Sequence, residues 1–542
     1  MKILILLLFP FFCFAQEYVR TAGTLKELRA ITINLPKPVG AKTYGYETLN
    51  DGGGAEYYYD AASVAKDDSA FAIKPDNISG AGRWHLYLSD RKVNFKSIGG
   101  RPNHQPDEVK DIAFDNYPIY LKAEAYHKAN PHKLIEINFP QGPKTNYGIL
   151  FYHFSKPIEQ ASYSLKLSGD DNHAETPPSG LCFEGTNAFI GEGHVNWRTG
   201  AADYSKASNG IRITNLSFRH KFKERYMADG EIHGIVLKTH YDLDRVTVSW
   251  FPGNGIDIYS NAADRPISTN SNSSRSDRVT SIYNAGDGFS ERGGDVNVNL
   301  HLQPNAYGNK HYGFYGKSFL GTTVINGHFD GNNVYGHPSK PYSLPSSYVW
   351  IEEGGVKHYF VAQQDNINQK PIVGKTDNWW TYMGKKDTYG LSTAWRAEKK
   401  IRGGGAYATS NINNRSVFLG TYVEDYQIHS SIRGNTTVLG GHQVVPAYGS
   451  NGESVYMTGS HQGFNVGNIR LAENGLHFYN GGGLRLNKQY QSLELNAGNY
   501  QLNLKNETKK VITIGNTWPA NIEVGEDGKL TLKSLEPKAI KK

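Results

Sequence analysis

Gly234-Ile235-Val236-Leu237 and Gly255-Ile256-Asp257-Ile258 share one pattern, a glycine followed by an apolar residue, any residue, and an apolar residue. The pattern also occurs as Gly180-Leu181-Cys182-Phe183 and Gly210-Ile211-Arg212-Ile213. Gly288-Phe289-Ser290-Glu291 and Gly313-Phe314-Tyr315-Gly316 continue it without the second apolar residue. The glycines are 30, 24, 21, 33 and 25 residues apart, and a solenoid turn of three short strands with uneven loops needs about that many. Further short strands fall between them, among them Val246-Thr247-Val248 and Thr322-Thr323-Val324-Ile325, with Asn-rich turns such as Asn332-Asn333. Short strands joined by loops of uneven length fit stacked parallel coils better than the regular hairpins of a sandwich or propeller. The expected fold class is all-β, with a right-handed parallel β-helix as its body.

Composition agrees with that reading. The 542 residues include 59 Gly and 35 Tyr but only 4 Met, and the apolar pattern gives no long amphipathic helix. Lys and Arg exceed Asp and Glu by 58 to 51, a formal charge of +7. A mildly basic protein favours anionic partners. The charge is spread along the chain with no long Lys/Arg block, so nucleic acid is not an expected partner.

Met1 and Lys2 precede a mostly apolar run from Ile3 to Ala15, which reads as a secretory signal peptide (1–15) cleaved near Ala15, and hence as a secreted protein. That run is too short to span a bilayer and no later stretch approaches the roughly 20 apolar residues a membrane helix needs, so no membrane insertion is expected. Removing it leaves Cys182 as the single cysteine, so stability must come from a core rather than a disulfide. Residues 16–92 read as a β-rich lead segment and 93–466 as the β-helix. An excursion near 339–400 carries Trp350, Trp379, Trp380 and Trp395, which read chiefly as a small core of their own. Alternating segments such as Leu493-Glu494-Leu495-Asn496 make 467–542 a C-terminal β cap. Val109, Ile112 and Ala113 lie at helical spacing, and Pro118 is expected to stop that helix from running much further.

Several stretches carry a resemblance. They are the Asn50 to Tyr59 turn, Gly82-Arg83-Trp84, the strand from Val93 to Gly99, Asn138-Phe139-Pro140-Gln141-Gly142 and the glycine-apolar coils. Tyr312-Gly313-Phe314 with Ser318-Phe319-Leu320-Gly321, and Arg415-Ser416-Val417-Phe418-Leu419-Gly420 with Tyr422 and Glu424, add to it. Together they resemble the pectate-lyase superfamily and the phage tailspikes over about residues 45 to 445. An Asp-Asp-Thr run found in many relatives is replaced by Asp107-Glu108-Val109-Lys110-Asp111. The resemblance implies a β-helix acting on polysaccharides and leaves the chemistry open, because this fold hosts lyases, hydrolases and adhesins. It allows a Ca2+ ion between Asp242 and Asp244; otherwise no cofactor and no metal site are expected.

Strand side chains alternate between faces. If each glycine marks one coil, residues one and three after it pack the core, while those two and four after it face solvent. The outward rows are then Cys182, Arg212, Val236, Asp257, Ser290, Tyr315 and Glu184, Thr214, Lys238, Tyr259, Arg292, Lys317. At about 4.8 Å per coil, Lys238, Tyr259, Arg292 and Lys317 span about 14 Å.

A row of cations and a phenol suits an acidic polysaccharide, binding its carboxylate or sulfate groups or supporting β-elimination. Lys238 or Tyr259 would be the base and Arg292 the stabilising charge, with His233 a further acid or base; Arg212, Tyr315 and Lys317 would bind substrate. An ordinary solvated face of Lys and Arg would read almost the same. Hydrolysis would instead pair Asp257 with Glu231 or Asp287, each placed near the rim of the same face, although an Asp before Gly is more often turn chemistry. A non-catalytic glycan-binding or adhesive protein remains the third alternative.

Overall fold

The computed structural model describes residues 19–332 apart from 34–39, 107–113, 147, 161–163, 171–176, 193–209, 222–231, 261–270, 295 and 319. It also describes 348–362, 367–375, 377, 379–386, 393–397, 405–409 and 415–423, followed by strands alone between 430 and 534. The signal-peptide reading and the helix expected around Val109 to Ala113 lie outside the described residues. Two compact units form, residues up to 102 with 116–140, and 103–115 with 141–542.

In the first unit the strands Val19–Ala22, Gly40–Thr43, Glu56–Asp60, Arg83–Leu86 and Ala72–Ile73 make one sheet in that spatial order. The Asn50 to Gly54 turn is organised by Asp51, whose carboxylate accepts backbone N–H groups of Tyr46, Glu47, Thr48 and Gly53. Trp84 fills the core with no exposed surface. Pro118 does not end a helix here. It stands in the first turn of the helix Tyr117–Ala129, where its missing N–H has no intrahelical partner to lose.

The second unit is a right-handed parallel β-helix, each full coil contributing one strand to each of three parallel stacks. The first stack holds Phe189–Gly191, Ile235–Leu237, Ile256–Ser260, Phe289–Gly293 and Tyr312–Ser318 in parallel register. The second runs through 211–214, 241–244, Arg275–Asp277, Leu300–Leu302 and Thr323–Ile325. The third runs through 216–219, 246–249, Thr280–Ile282, Asn305–Tyr307 and His328–Asp330. Asn215, Arg245, Arg278, Gln303 and Asn326, each with φ between 48° and 55°, turn the chain from the second stack to the third. A single residue in left-handed backbone makes so tight a bend without a loop.

The interior is a column of stacked side chains. Ile235, Ile256, Phe289 and Phe314 follow one another at 1% exposure or less, and each such side chain contributes about 1.5–3 kcal/mol. The corner leading into the first stack is held differently. Asn284 accepts the Phe251 N–H, Asn309 accepts from the Asn284 backbone and side chain, and Asn332 does the same for Asn309. All three asparagines are fully buried. Asn309→Ala would strand the Asn284 N–H away from water, so a loss of about 1–3 kcal/mol is expected. Urea unfolding checks it, and an unchanged midpoint would remove the ladder from the list of stabilising features.

Tyr348–Glu353, Val356–Ala362, Trp380–Gly384 and Thr393–Ala394 build a separate four-stranded sheet. Val349, Phe360, Ala362 and Trp380 form its core, with Trp379 and Trp395 packed against it. Trp350 lies instead under the Lys357 ammonium, 4.1 Å from the ring centre. From Ile469 to Ser534 successive strands pair antiparallel. Among the described residues no helix is long and apolar enough to cross a membrane.

Candidate functional site

Register in the first stack makes Val236, Asp257, Ser290 and Tyr315 one outward row, and Tyr259, Arg292 and Lys317 the next. Lys238 follows Leu237, the partner of Ile258, and so joins the second row beside Tyr259. Two coils read from the sequence do not belong here. Gly180–Phe183 lies in the third stack, pairing with Ser217 to His220, and 211–214 lies in the second. Cys182 is therefore buried beside Arg219 rather than exposed on the row. Arg212, expected to bind substrate on this face, stands in another stack, paired with Asp242.

Asp257 was expected to face solvent; it is 2% exposed. The Arg292 guanidinium covers it, donating from Nε to Oδ1 at 3.0 Å and from Nη2 to Oδ2 at 2.5 Å. Asn254 Nδ2 donates to Oδ1 at 2.9 Å. The Arg292 side chain remains 40% exposed, so the three N–H groups not used on Asp257 are left for other partners. Burial alone would lower the Arg292 pKa, but the charge and hydrogen bonds of Asp257 outweigh it and the net shift is upward. The Tyr259 ring lies beneath the same guanidinium, 5.3 Å from centroid to Cζ.

His233 joins this group from the turn before Ile235. Its Nδ1 accepts the Asn254 backbone N–H at 2.8 Å, which places the ring proton on Nε2, 4.0 Å from Asp257 Oδ2. Asn254 thus does three things: it fixes the His233 tautomer, holds Asp257, and accepts the Asp287 N–H at 2.9 Å. Sequence reasoning missed it, because Gly253-Asn254-Gly255 reads as an ordinary turn.

The remaining candidates divide. Lys238 Nζ is 2.6 Å from Glu192 Oε1, a cross-coil ion pair not foreseen. Lys317 is exposed, while Tyr315 is half-buried and stacked on Tyr312 at 5.4 Å. Asp287 is 1% exposed and accepts the Tyr312 N–H at 3.0 Å, so it is a turn residue and not a rim carboxylate. Glu231 lies outside the described residues. Asp244, half of the proposed Ca2+ pair, is ion-paired with Arg245 and Arg278. Among the described residues no group of three or more His, Cys, Asp or Glu could hold a metal ion.

A second constellation has catalytic residue types and no access. Ser276 Oγ lies 2.6 Å from His301 Nδ1, and His301 Nε2 lies 3.0 Å from Glu291 Oε1. All three are at most 1% exposed inside the coil, so this hydroxyl, imidazole and carboxylate form a core network and not a site for substrate.

No family model matches the chain, and no curated protein matches it. Among solved structures it is similar to a tailspike of an Acinetobacter baumannii bacteriophage, Fri1, a capsular polysaccharide depolymerase, at 10% identity and a TM-score of 0.37 over 80% of this chain and 64% of that one. It is also similar to a glycan biofilm modifying enzyme of Pantoea stewartii, at 11% identity and a TM-score of 0.34 over 59% and 47% of the two chains. A third is the A-module of a mannuronan C-5 epimerase of Azotobacter vinelandii, at 13% identity and a TM-score of 0.32 over 69% and 96%. The chain spans less than two thirds of the length of the first two. At identities and scores this low, activity and substrate have to be argued from this chain's own residues.

Proposed function

We propose that this is a secreted polysaccharide-active enzyme, and that it cleaves an anionic glycan by β-elimination at the cluster of His233, Asp257, Tyr259 and Arg292. The observation that carries this reading is the pose of Arg292. Its Nε and Nη2 are clamped on buried Asp257, while the side chain as a whole stays 40% exposed with a phenol ring against its guanidinium.

In β-elimination the proton on the carbon next to a uronate carboxylate leaves, a carbon–carbon double bond forms, and the glycosidic carbon–oxygen bond breaks. Arg292 would bind that carboxylate and offset the charge that develops on it. Tyr259 would take the proton as phenolate and return it to the departing glycosidic oxygen. Lys238, tied to Glu192, and Lys317 would bind flanking acidic sugars. Hydrolysis is less favoured, because both Asp257 oxygens already accept hydrogen bonds and Asp287 is buried.

Incubation with a panel of acidic polysaccharides tests the reading. Ultraviolet absorbance of unsaturated sugar ends is expected to rise together with new reducing ends. Reducing ends without that absorbance would assign hydrolysis, and binding with neither would assign a carbohydrate-binding role.

A further inference from the structure

His233 is fixed through its backbone before its ring is. Its N–H donates to Asn187 Oδ1 at 2.6 Å and its carbonyl accepts the Ala188 N–H at 3.3 Å, both from the preceding coil. The ring then reaches the following coil, where Nδ1 accepts the Asn254 N–H at 2.8 Å. A residue held at three points on two coils has little freedom to turn its ring.

The bond to Nδ1 decides what that ring can carry. A neutral imidazole donates from one nitrogen and accepts at the other, whereas an imidazolium donates from both. The Asn254 N–H is a permanent donor, so a proton on Nδ1 would set two hydrogens against each other and strand a backbone N–H. The charges in front of the ring do not compensate for this. Asp257 Oδ2 lies 4.0 Å from Nε2 but is engaged by Arg292, whose guanidinium also has the Tyr259 phenol against it. The Asp287 carboxylate is turned to the Tyr312 N–H.

We propose that His233 is a neutral hydrogen-bond donor to the substrate, and neither its base nor its acid. This rests on the β-elimination reading for the group it meets. The Nε2–H and Arg292 Nη2 approach the same Asp257 oxygen, so a uronate carboxylate drawn to Arg292 comes beside that N–H. The His233 side chain keeps 16% of its surface exposed, which leaves it open to a ligand on this face. A donor in place before charge develops stabilises that charge without giving up its proton. The proton taken from carbon then travels by Tyr259 alone, and none enters or leaves through the imidazole.

Two variants test this on the polysaccharide that wild type cleaves. His233→Gln keeps an N–H near the place of Nε2 and cannot titrate, while His233→Ala keeps no donor. His233→Ala should lose about 100-fold to 1000-fold in kcat/KM, and His233→Gln should stay at least about tenfold above it. The ratio of wild type to His233→Gln should hold constant from about pH 5 to about pH 8, the range in which an ordinary histidine titrates. Equal losses in the two variants, or a ratio that changes about tenfold over that range, would overturn the proposal. Should either variant fail to fold, nitrogen NMR of wild type labelled at histidine decides, its His233 signal assigned through the bonded Asn254 amide. The neutral Nε2–H tautomer is expected throughout, and an imidazolium at about pH 5 would overturn the proposal. Elimination products together with an imidazolium would sink the donor role alone. The neutral tautomer without elimination products from any acidic polysaccharide would sink the β-elimination reading and, with it, the substrate contact.

Discussion

Arg292→Ala is expected to lower kcat about 100-fold to 1000-fold on the polysaccharide that wild type cleaves, the range for losing one preorganised group that stabilises developing charge. The same change uncovers Asp257, which keeps only the Asn254 amide among the hydrogen bonds described for it. A buried carboxylate deprived of its cation is costly, so a loss of activity could come from a loss of structure. Asp257→Asn/Arg292→Ala separates the two causes, because it removes the stranded charge with the guanidinium. If Arg292 acts on substrate, the double variant regains thermal stability and stays inactive. If Arg292 only clamps the fold, stability and turnover return together. Initial rates by ultraviolet absorbance alongside thermal melts make the comparison. Lys238→Ala should be milder and fall mainly on KM, since its ammonium is already shared with Glu192.

The fold was legible because one steric demand writes itself into the sequence. A Cβ at Gly234 would lie 2.4 Å from the Gly255 carbonyl oxygen of the next coil, so the glycine recurs once per coil in the first stack. The candidate site was only half legible, because other demands produce the same letter. Gly180 is required by the Phe151 ring, 2.5 Å from where its Cβ would stand, and Gly210 by a φ of 92°. Both fit the first-stack pattern by letter alone, and that pattern places Arg212 and Cys182 on a face to which neither belongs. The row of Lys238, Tyr259, Arg292 and Lys317 survived because its four glycines share the first stack. Its electrostatics did not: the burial of Asp257 depends on Arg292, 35 residues later, and no local pattern encodes such a pairing. Pro118 shows the same limit, since whether a proline stops or starts a helix depends on the residues that follow it.

The imperfect repeat at Gly288 has a structural cause that yields the second large effect. Where the other coils place Leu237 and Ile258 in the core, this one places Glu291. Its Oε1 lies within 3.0 Å of His301 Nε2 and of Asn299 Nδ2, with no exposed surface on Glu291 or His301. Its Oε2 is buried with no hydrogen-bond partner among the described residues, and in that surrounding the nearby Tyr241 phenol is pushed far above its ordinary pKa, chiefly by burial. Glu291→Leu supplies the apolar residue that the repeat calls for, yet it should destabilise the protein by about 1–3 kcal/mol for each buried donor it strands, because His301 Nε2 and Asn299 Nδ2 lose their common acceptor in the core. Glu291→Leu/His301→Val should recover most of that loss. Val324 already occupies the position of His301 in the next coil and Leu243 precedes Ser276 in the same column, so apolar residues fit there, and replacing both members of a buried pair is often neutral or stabilising. Urea unfolding of the two variants decides the matter. A single variant as stable as wild type would mean that the pair contributes nothing, and a double variant as unstable as the single would mean that Ser276, Asn299 and Thr322 depend on it as one network.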